Sequence, residues 1–322
     1  MNICNIDTIA KQCGVSKATV SRVFTGKGRV SDQVSKLVLF KARELNYRPQ
    51  QMATRENIAI VCEAAIDFLG EYGFAQVIIG YIIHEINRLG YQPLIIEASK
   101  IDSLIPQHTK AVILFLRDET ITDYEQQLKN LSVPKITINR MIPGVHCFCS
   151  DHAMGVKLAV AHLSSYGHRR IALVLDNSKN WAGKERQRGY GEAMGQLELP
   201  ELPTFTYRPE FSMIEVMSEV MRYRATAAII CGESIGTEAA YAFNILRLKV
   251  PEDISIISSE RPAFSRWCNP PHTTIDHNIQ MICSELFSSI EKIIAKPDMA
   301  PLIKILPSKL IERQSVASVI LN

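Results

Sequence analysis

Lys17, Ala18, Ser21 and Arg22 stand close together near the start of a 322-residue chain, and their chemistry is that of a surface that reads nucleic acid. An arginine or lysine donates to guanine edges and phosphates, a serine to either, and a small alanine lets a helix approach a base methyl group. To act together these groups must share one face of a helix, and the stretch 6–24, IDTIAKQCGVSKATVSRVF, supplies one. Ile6, Ile9 and Ala10 are spaced as one apolar helical face, and Gly14 ends that helix. Ser16 then offers an N-cap oxygen to a second helix starting at Lys17. Val20 and Val23 turn inward, which leaves Lys17, Ala18, Ser21 and Arg22 facing out. Two short helices joined by a glycine turn form a helix-turn-helix, whose second helix enters the major groove of DNA.

The surroundings agree. Residues 1–55 hold ten Lys or Arg and three acids, a charge of +7, against +3 for the whole chain, so the remainder sums to −4. A basic head on a mildly acidic body suits a protein that lays only its head on a polyanion. Gly26 and Gly28 mark a loop that brings Lys27 and Arg29 to phosphates. Ser31 caps a third helix running to about residue 45, with Val34, Leu37, Val38, Ala42 and Leu45 as its buried stripe.

From residue 58 the pattern changes. Strand-like runs at 58–62, 93–97, 111–116, 135–139, 171–175, 227–231 and 254–258 alternate with helical stretches at 74–89, 153–166, 186–197, 214–223, 237–246 and 279–295. That alternation predicts parallel sheets covered on both faces, in two doubly wound lobes. Between 98 and 110 the chain is short and carries Pro106, so a full helix is not expected there. An open α/β sheet binds ligands beyond the carboxyl ends of its strands, and a crevice between two such lobes is the expected small-molecule site.

Other classes are disfavoured. No G-x-S-x-G elbow, P-loop or G-x-G-x-x-G is present, the histidines are scattered, and an enzyme is not expected. Asp151-His152 opens a helix, and capping explains the acid. The eight cysteines show no zinc spacing and no C-x-x-C, which predicts reduced core thiols, no metal and no cofactor. With no signal peptide before the helix-turn-helix and no apolar run of transmembrane length, the expectation is a cytoplasmic protein without membrane contact.

The run GVSKATVSRVFTGKGRVSDQV (14–34), followed by ARELNYRP (42–49), resembles the headpiece of the lactose/galactose repressor family of bacterial transcription regulators. The body resembles the family's periplasmic-binding-protein-like core through ITINR (136–140), HLSSYGHRRIALV (162–174), RQRGY (186–190), VPEDISII (250–257), PPHTTI (270–275) and LPSKLIERQSV (306–316), and the runs INRMIPG (138–144) and CFCSDH (147–152) are most similar to the galactose-repressor branch. The resemblance implies a helix-turn-helix headpiece at 1–49, a hinge at 50–57 and a two-lobed effector-binding and dimerisation core at 58–322. It implies crossovers between lobes near 166–168, 275–278 and 306–307. It further implies a homodimeric repressor on pseudo-palindromic double-stranded operator DNA, released or recruited by a small molecule, a sugar or galactoside. Lys17, Ala18, Ser21 and Arg22 then face base edges, while Asn5, Ser16, Arg29, Ser31, Tyr47 and Gln50 meet the backbone and set register. The effector residues carried over are Phe74, Arg186, Phe211, Glu233 and Glu260.

The chain departs from the family pattern at four further places. Val34-Ser35 replaces Thr-Arg early in the third helix. Glu56 stands where the family wedges a leucine into the minor groove, and a carboxylate there is repelled. Gly232-Glu233 replaces Asn-Asp, and Ser258-Ser259-Glu260-Arg261 replaces Gly-Phe-Asp-Asp, so one hydrogen-bonding side chain is lost at Gly232. These changes leave open a regulator answering to a protein partner or to no ligand. A sugar-binding transport component is the reading from another class, disfavoured by the basic head.

Overall fold

The fold follows from where the chain places its caps and its apolar alternation. The computed structural model describes residues 5–25, 30–45, 56–63, 74–104, 108–116, 118–207, 212–232, 235–259 and 264–319. Three helices come first: α1 (Ile6–Cys13), α2 (Lys17–Thr25) and α3 (Asp32–Glu44). Gly14 closes α1 in the left-handed region at φ 66°, where a Cβ is strained, and returns its N–H to the last turn. Ile9, Ala10, Val20, Val38 and Ala42 are buried together as the core of this head. Leu37 departs from the expected stripe: it is 43% exposed, because Val38 and Ala42 already fill the contact with α1.

The body holds two six-stranded sheets. The first lobe runs β1 (Asn57–Cys62), α4 (Phe74–Arg88), β2 (Gln92–Glu97), a 3-10 turn over Ala98–Ser103, β3 (Thr109–Phe115), the short α5 (Asp118–Asp123) and α6 (Glu125–Asn130), β4 (Lys135–Ile138) and β5 (His146–Ser150). The second runs α7 (His152–Ser165), β6 (Ile171–Leu175), α8 (Trp181–Gln196), β7 (Phe205–Thr206), α9 (Met213–Arg222), β8 (Ala227–Cys231), α10 (Ile235–Leu246), β9 (Ser255–Ser259) and β10 (Thr273–Asp276). The chain then returns to the first lobe through α11 (Ile279–Ala295) and β11 (Ile303–Leu306), and ends on β12 (Lys309–Ile311) in the second. The strand orders are β11-β5-β4-β3-β1-β2 and β12-β10-β9-β8-β6-β7. All described pairings are parallel except β10 with β12.

Strand alternation explains how each sheet is covered. In β1, Ile58 and Ile60 enter the core under α4 and α11, while Ala59 and Val61 enter the one over the 3-10 turn and α6. In β6, Ala172 and Val174 pack toward α9 and α10, and Ile171, Leu173 and Leu175 toward α7 and α8. Both faces of a parallel strand are therefore apolar, and full burial contributes about 1.5–3 kcal/mol for each large aliphatic side chain. The expected short connection at 98–110 is the 3-10 turn.

The lobes are joined where the chain crosses three times. The crossings at 276–279 and 306–309 fall where the resemblance put them. The first does not lie at 166–168: β5 belongs to the first sheet, and α7 already packs Val156, Ala159, Val160 and Leu163 on the second, so the chain crosses at Asp151. The apolar stripe of α7 specifies a buried face but not which sheet buries it. The crossings are stitched to one another. Ser150 Oγ donates to the His277 carbonyl at 2.7 Å, Asp151 N–H to the Leu306 carbonyl at 2.7 Å, and Ser308 Oγ to the Asp151 carbonyl at 2.9 Å. Among the described residues no helix is long and apolar enough to cross a membrane.

Candidate functional site

The exposed face of the head is set by local capping. Asn5 Oδ1 accepts the Thr8 N–H at 3.0 Å, Ser16 Oγ accepts the Thr19 N–H at 3.1 Å, and Ser31 Oγ accepts the Val34 N–H at 3.4 Å. The Ser16 hydroxyl also shares a hydrogen bond with the Thr19 hydroxyl at 2.9 Å. Val20 is fully buried, which turns α2 so that Lys17, Ala18 and Arg22 are exposed and Ser21 half-buried. Lys17 forms an ion pair with Asp7 of α1, tying the two helices of the motif together. Seven of the expected DNA contacts thus lie on described residues, six of them on or at the ends of α1 and α2. Arg29, Tyr47 and Gln50 lie outside the described residues. Glu56 is held at the base of β1: its carboxylate pairs with Lys110 at 2.8 Å, and its carbonyl accepts the Gln92 N–H.

The second site lies at the carboxyl ends of β6, β8 and β9, beside the crossings. Arg186 projects from α8 with 9% exposure, and its guanidinium lies 3.8 Å from Asp176 Oδ1, just past β6. His152 opens α7 and Trp181 opens α8; their rings meet edge-on at 5.5 Å, and His152 meets His277 of the second crossing at 5.0 Å. His152 is held well below the ordinary imidazole range by burial first, then by Arg186 and His277. His277 is pushed down to about 3 by burial and then by Arg186. Both rings are therefore neutral near pH 7. Cys231, at the end of β8, is raised mainly by burial and is no thiolate.

The loop from β6 to α8 is fastened around this site. Asn180 Oδ1 caps α8 by accepting the Gly183 N–H at 2.7 Å, and Gln187 Nε2 donates to the Ser178 carbonyl at 2.7 Å. A Cβ on Gly183 would lie 2.0 Å from the Asn177 carbonyl oxygen, so only glycine lets the loop close on the helix. Among the described residues no group of three His, Cys, Asp or Glu side chains is arranged to hold a metal ion.

Of the expected effector residues, Arg186 lies at the carboxyl ends of the second sheet's strands, beside Asp176. Phe74 is the first residue of α4, described through its backbone alone, and Phe211, Glu233 and Glu260 lie outside the described residues. The expected loss at Gly232 is made good by another residue. A Cβ there would lie 2.5 Å from Asp176 Cγ and 2.7 Å from its Oδ2, so the Asp176 carboxylate fills the space a side chain would take. Asp176, Trp181, His152 and His277 escaped the sequence reading. The first three stand just after a strand or at a helix start, and His277 lies in the crossing expected at 275–278; these places were the signals by which they were findable.

Comparison with known proteins accords with this geometry. A model described as "Bacterial regulatory proteins, lacI family" matches residues 5–50, and one described as "Periplasmic binding protein-like domain" matches residues 160–316. The regulator GalR of Salmonella typhimurium strain SL1344 is 27% identical over 335 residues, spanning 98% of this chain and 97% of the relative. The fold is shared with a solved complex of the transcriptional regulator CelR with cellobiose, with a TM-score of 0.70 and 22% identity over 97% of this chain and 100% of that one. It is shared as well with the lac repressor dimer bound to operator and the anti-inducer ONPF, with a TM-score of 0.72 and 20% identity over 98% and 99%. With a capped helix-turn-helix that matches the lacI-family model at one end and two periplasmic-binding-protein-like lobes behind it, the chain is similar over nearly its whole length to regulators of the LacI family and is a DNA-binding transcriptional regulator.

Proposed function

We propose that this regulator is a cytoplasmic repressor that binds a pseudo-palindromic operator as a homodimer and changes its grip when a sugar-like effector enters the crevice. The observation that carries the reading is Arg186 beside Asp176 at the strand ends, close to His152 and His277 of the first two crossings. A guanidinium and a carboxylate supply the planar donors and acceptors that sugar hydroxyls require, and Trp181 adds an apolar ring face. A ligand bridging the lobes favours one angle between them, and that angle sets the spacing of two headpieces on DNA. Ligand and operator are coupled only if they prefer different angles.

In this reading residues 1–49 are the DNA-binding head, 50–57 the hinge and 58–322 the effector core. Lys17, Ala18, Ser21 and Arg22 face bases; Asn5, Ser16, Arg29, Ser31, Tyr47 and Gln50 hold the backbone. Glu56, engaged by Lys110, sits on the core side of the hinge. Self-association is supported by large apolar groups left exposed: Tyr241 and Ile245 on α10, Trp267 after β9, and Val77 and Tyr81 on α4. The crystallised lac repressor relative is a dimer on operator, and the CelR relative holds cellobiose.

Thermal unfolding of the full chain with a panel of mono- and disaccharides, galactosides included, tests the effector reading, because specific binding raises the midpoint by mass action. A sugar that raises the midpoint and also shifts operator affinity supports it; a flat panel points to a regulator answering to a protein partner or to nothing. Arg22→Ala should weaken operator binding by about 1–3 kcal/mol with the midpoint of the lobes unchanged.

A further inference from the structure

The crevice brings together more positive character than a neutral sugar requires. His152 is the first residue of a 14-residue helix and Trp181 the first of a 16-residue helix, so the positive ends of α7 and α8 meet where their rings touch. Neither helix carries an acidic residue within its first turn. The Asp151 cap is occupied, accepting the Met154 N–H at 2.8 Å. His152 is 3% exposed, and both of its ring nitrogens lack a hydrogen-bond partner among the described residues; Arg186 Nε is buried and lacks one too. Buried polar atoms in native proteins are paired, so unpaired donors converging on one place in a binding crevice mark where a ligand supplies acceptors.

We propose that the ligand is a sugar bearing an anionic group, a phosphate or a carboxylate, and that His152 and Arg186 bind that group. The inference rests on the crevice being the effector site. Among the described residues, Arg186 from α8 and His277 from the second crossing act on His152, its own helix cap Asp151 precedes it, and Asp176 past β6 and Cys231 at the end of β8 lie near Arg186. Asp176 is drawn to Arg186, leaving that guanidinium's Nε edge and the imidazole for the incoming anion. Without ligand, burial and Arg186 keep His152 neutral. An anion beside it favours the protonated ring, so binding takes up a proton and tightens as pH falls.

Calorimetric titration of the full-length protein with glucose-6-phosphate, galacturonate, inorganic phosphate and galactose, in buffers of differing ionisation enthalpy, tests this. The expected result is binding of at least one anionic sugar with net proton uptake, about tenfold tighter near pH 6 than near pH 8. Glucose-6-phosphate with inorganic phosphate as its weaker fragment identifies a phosphate ligand, and galacturonate a carboxylate. His152→Gln should weaken binding of the anionic sugar about tenfold and flatten its pH dependence. Galactose binding without any anion, or anion binding indifferent to pH and without proton uptake, overturns the inference and leaves the effector reading standing. No binding of either class by the folded protein overturns both. The proton-uptake measurement uses the unsubstituted chain, so it decides the matter even if the variant fails to fold.

Discussion

The helical head and the inter-lobe crevice are built on opposite plans. In the head every cap lies three residues from its partner: Asn5 with Thr8, Ser16 with Thr19, Ser31 with Val34. In the crevice His152 meets His277, and Asp151 bonds to Leu306, across more than a hundred residues of chain. The head's polar side chains are engaged or exposed. The site at the strand ends holds buried nitrogens on His152 and Arg186 that lack partners among the described residues, each costing about 1–3 kcal/mol until something pairs with it. The outward face of the head is thus preformed by local interactions, whereas the groups at the strand ends are brought together only by the fold.

The sharpest way to separate the two is to damage the head's core. Ile9 is fully buried, and Ile9→Ala should cost about 4 kcal/mol, enough to unfold so small a helical unit. Operator binding should vanish while ligand binding and unfolding of the lobes persist. Loss of both functions would show that head and core fold as one and break the comparison.

Acid probes the other side. His272 is pushed down to about 4, by burial first and then by Arg313, and His277 down to about 3, by burial and then Arg186. The unfolded chain binds protons below about pH 6.5 that these folded imidazoles refuse. Stability of the lobes is therefore full above that pH and falls as pH drops toward 4, by at most about 1.4 kcal/mol per pH unit for each ring. Urea titrations between about pH 7 and 5 should show this loss, and His272→Asn should flatten it. An unchanged slope in the variant would assign the loss elsewhere.

The smallest effect is expected at a cap. Ser16→Ala should destabilise the head by about 1 kcal/mol, with its consequence confined to DNA affinity. A shift in ligand affinity as well would show that capping in the head reaches the crevice.

Legibility in the sequence divides along the same line. The start of α2, the end of α1 at Gly14 and strands 171–175 and 227–231 were readable because caps, turns and apolar runs are contiguous signals. Strands β5, β10, β11 and β12 were not: His146–Ser150 mixes histidine, cysteine and serine, Thr273–Asp276 is half threonine, and the last two are only four and three residues long. Leu37 fits an apolar stripe yet lies exposed, since periodicity marks a face and not how far the neighbouring helix covers it.

By itself, then, the sequence determined the head, its outward-facing side chains and the alternation that makes two doubly wound lobes, all properties of residues near one another in the chain. Tertiary structure alone decided that α7 joins the second lobe, that Asp176 fills the space above Gly232, and that His152, His277, Trp181 and Arg186 converge. These depend on which faces pack together after the chain crosses at Asp151, and a crossing leaves no periodic mark because the backbone there bonds to remote strands rather than to its neighbours.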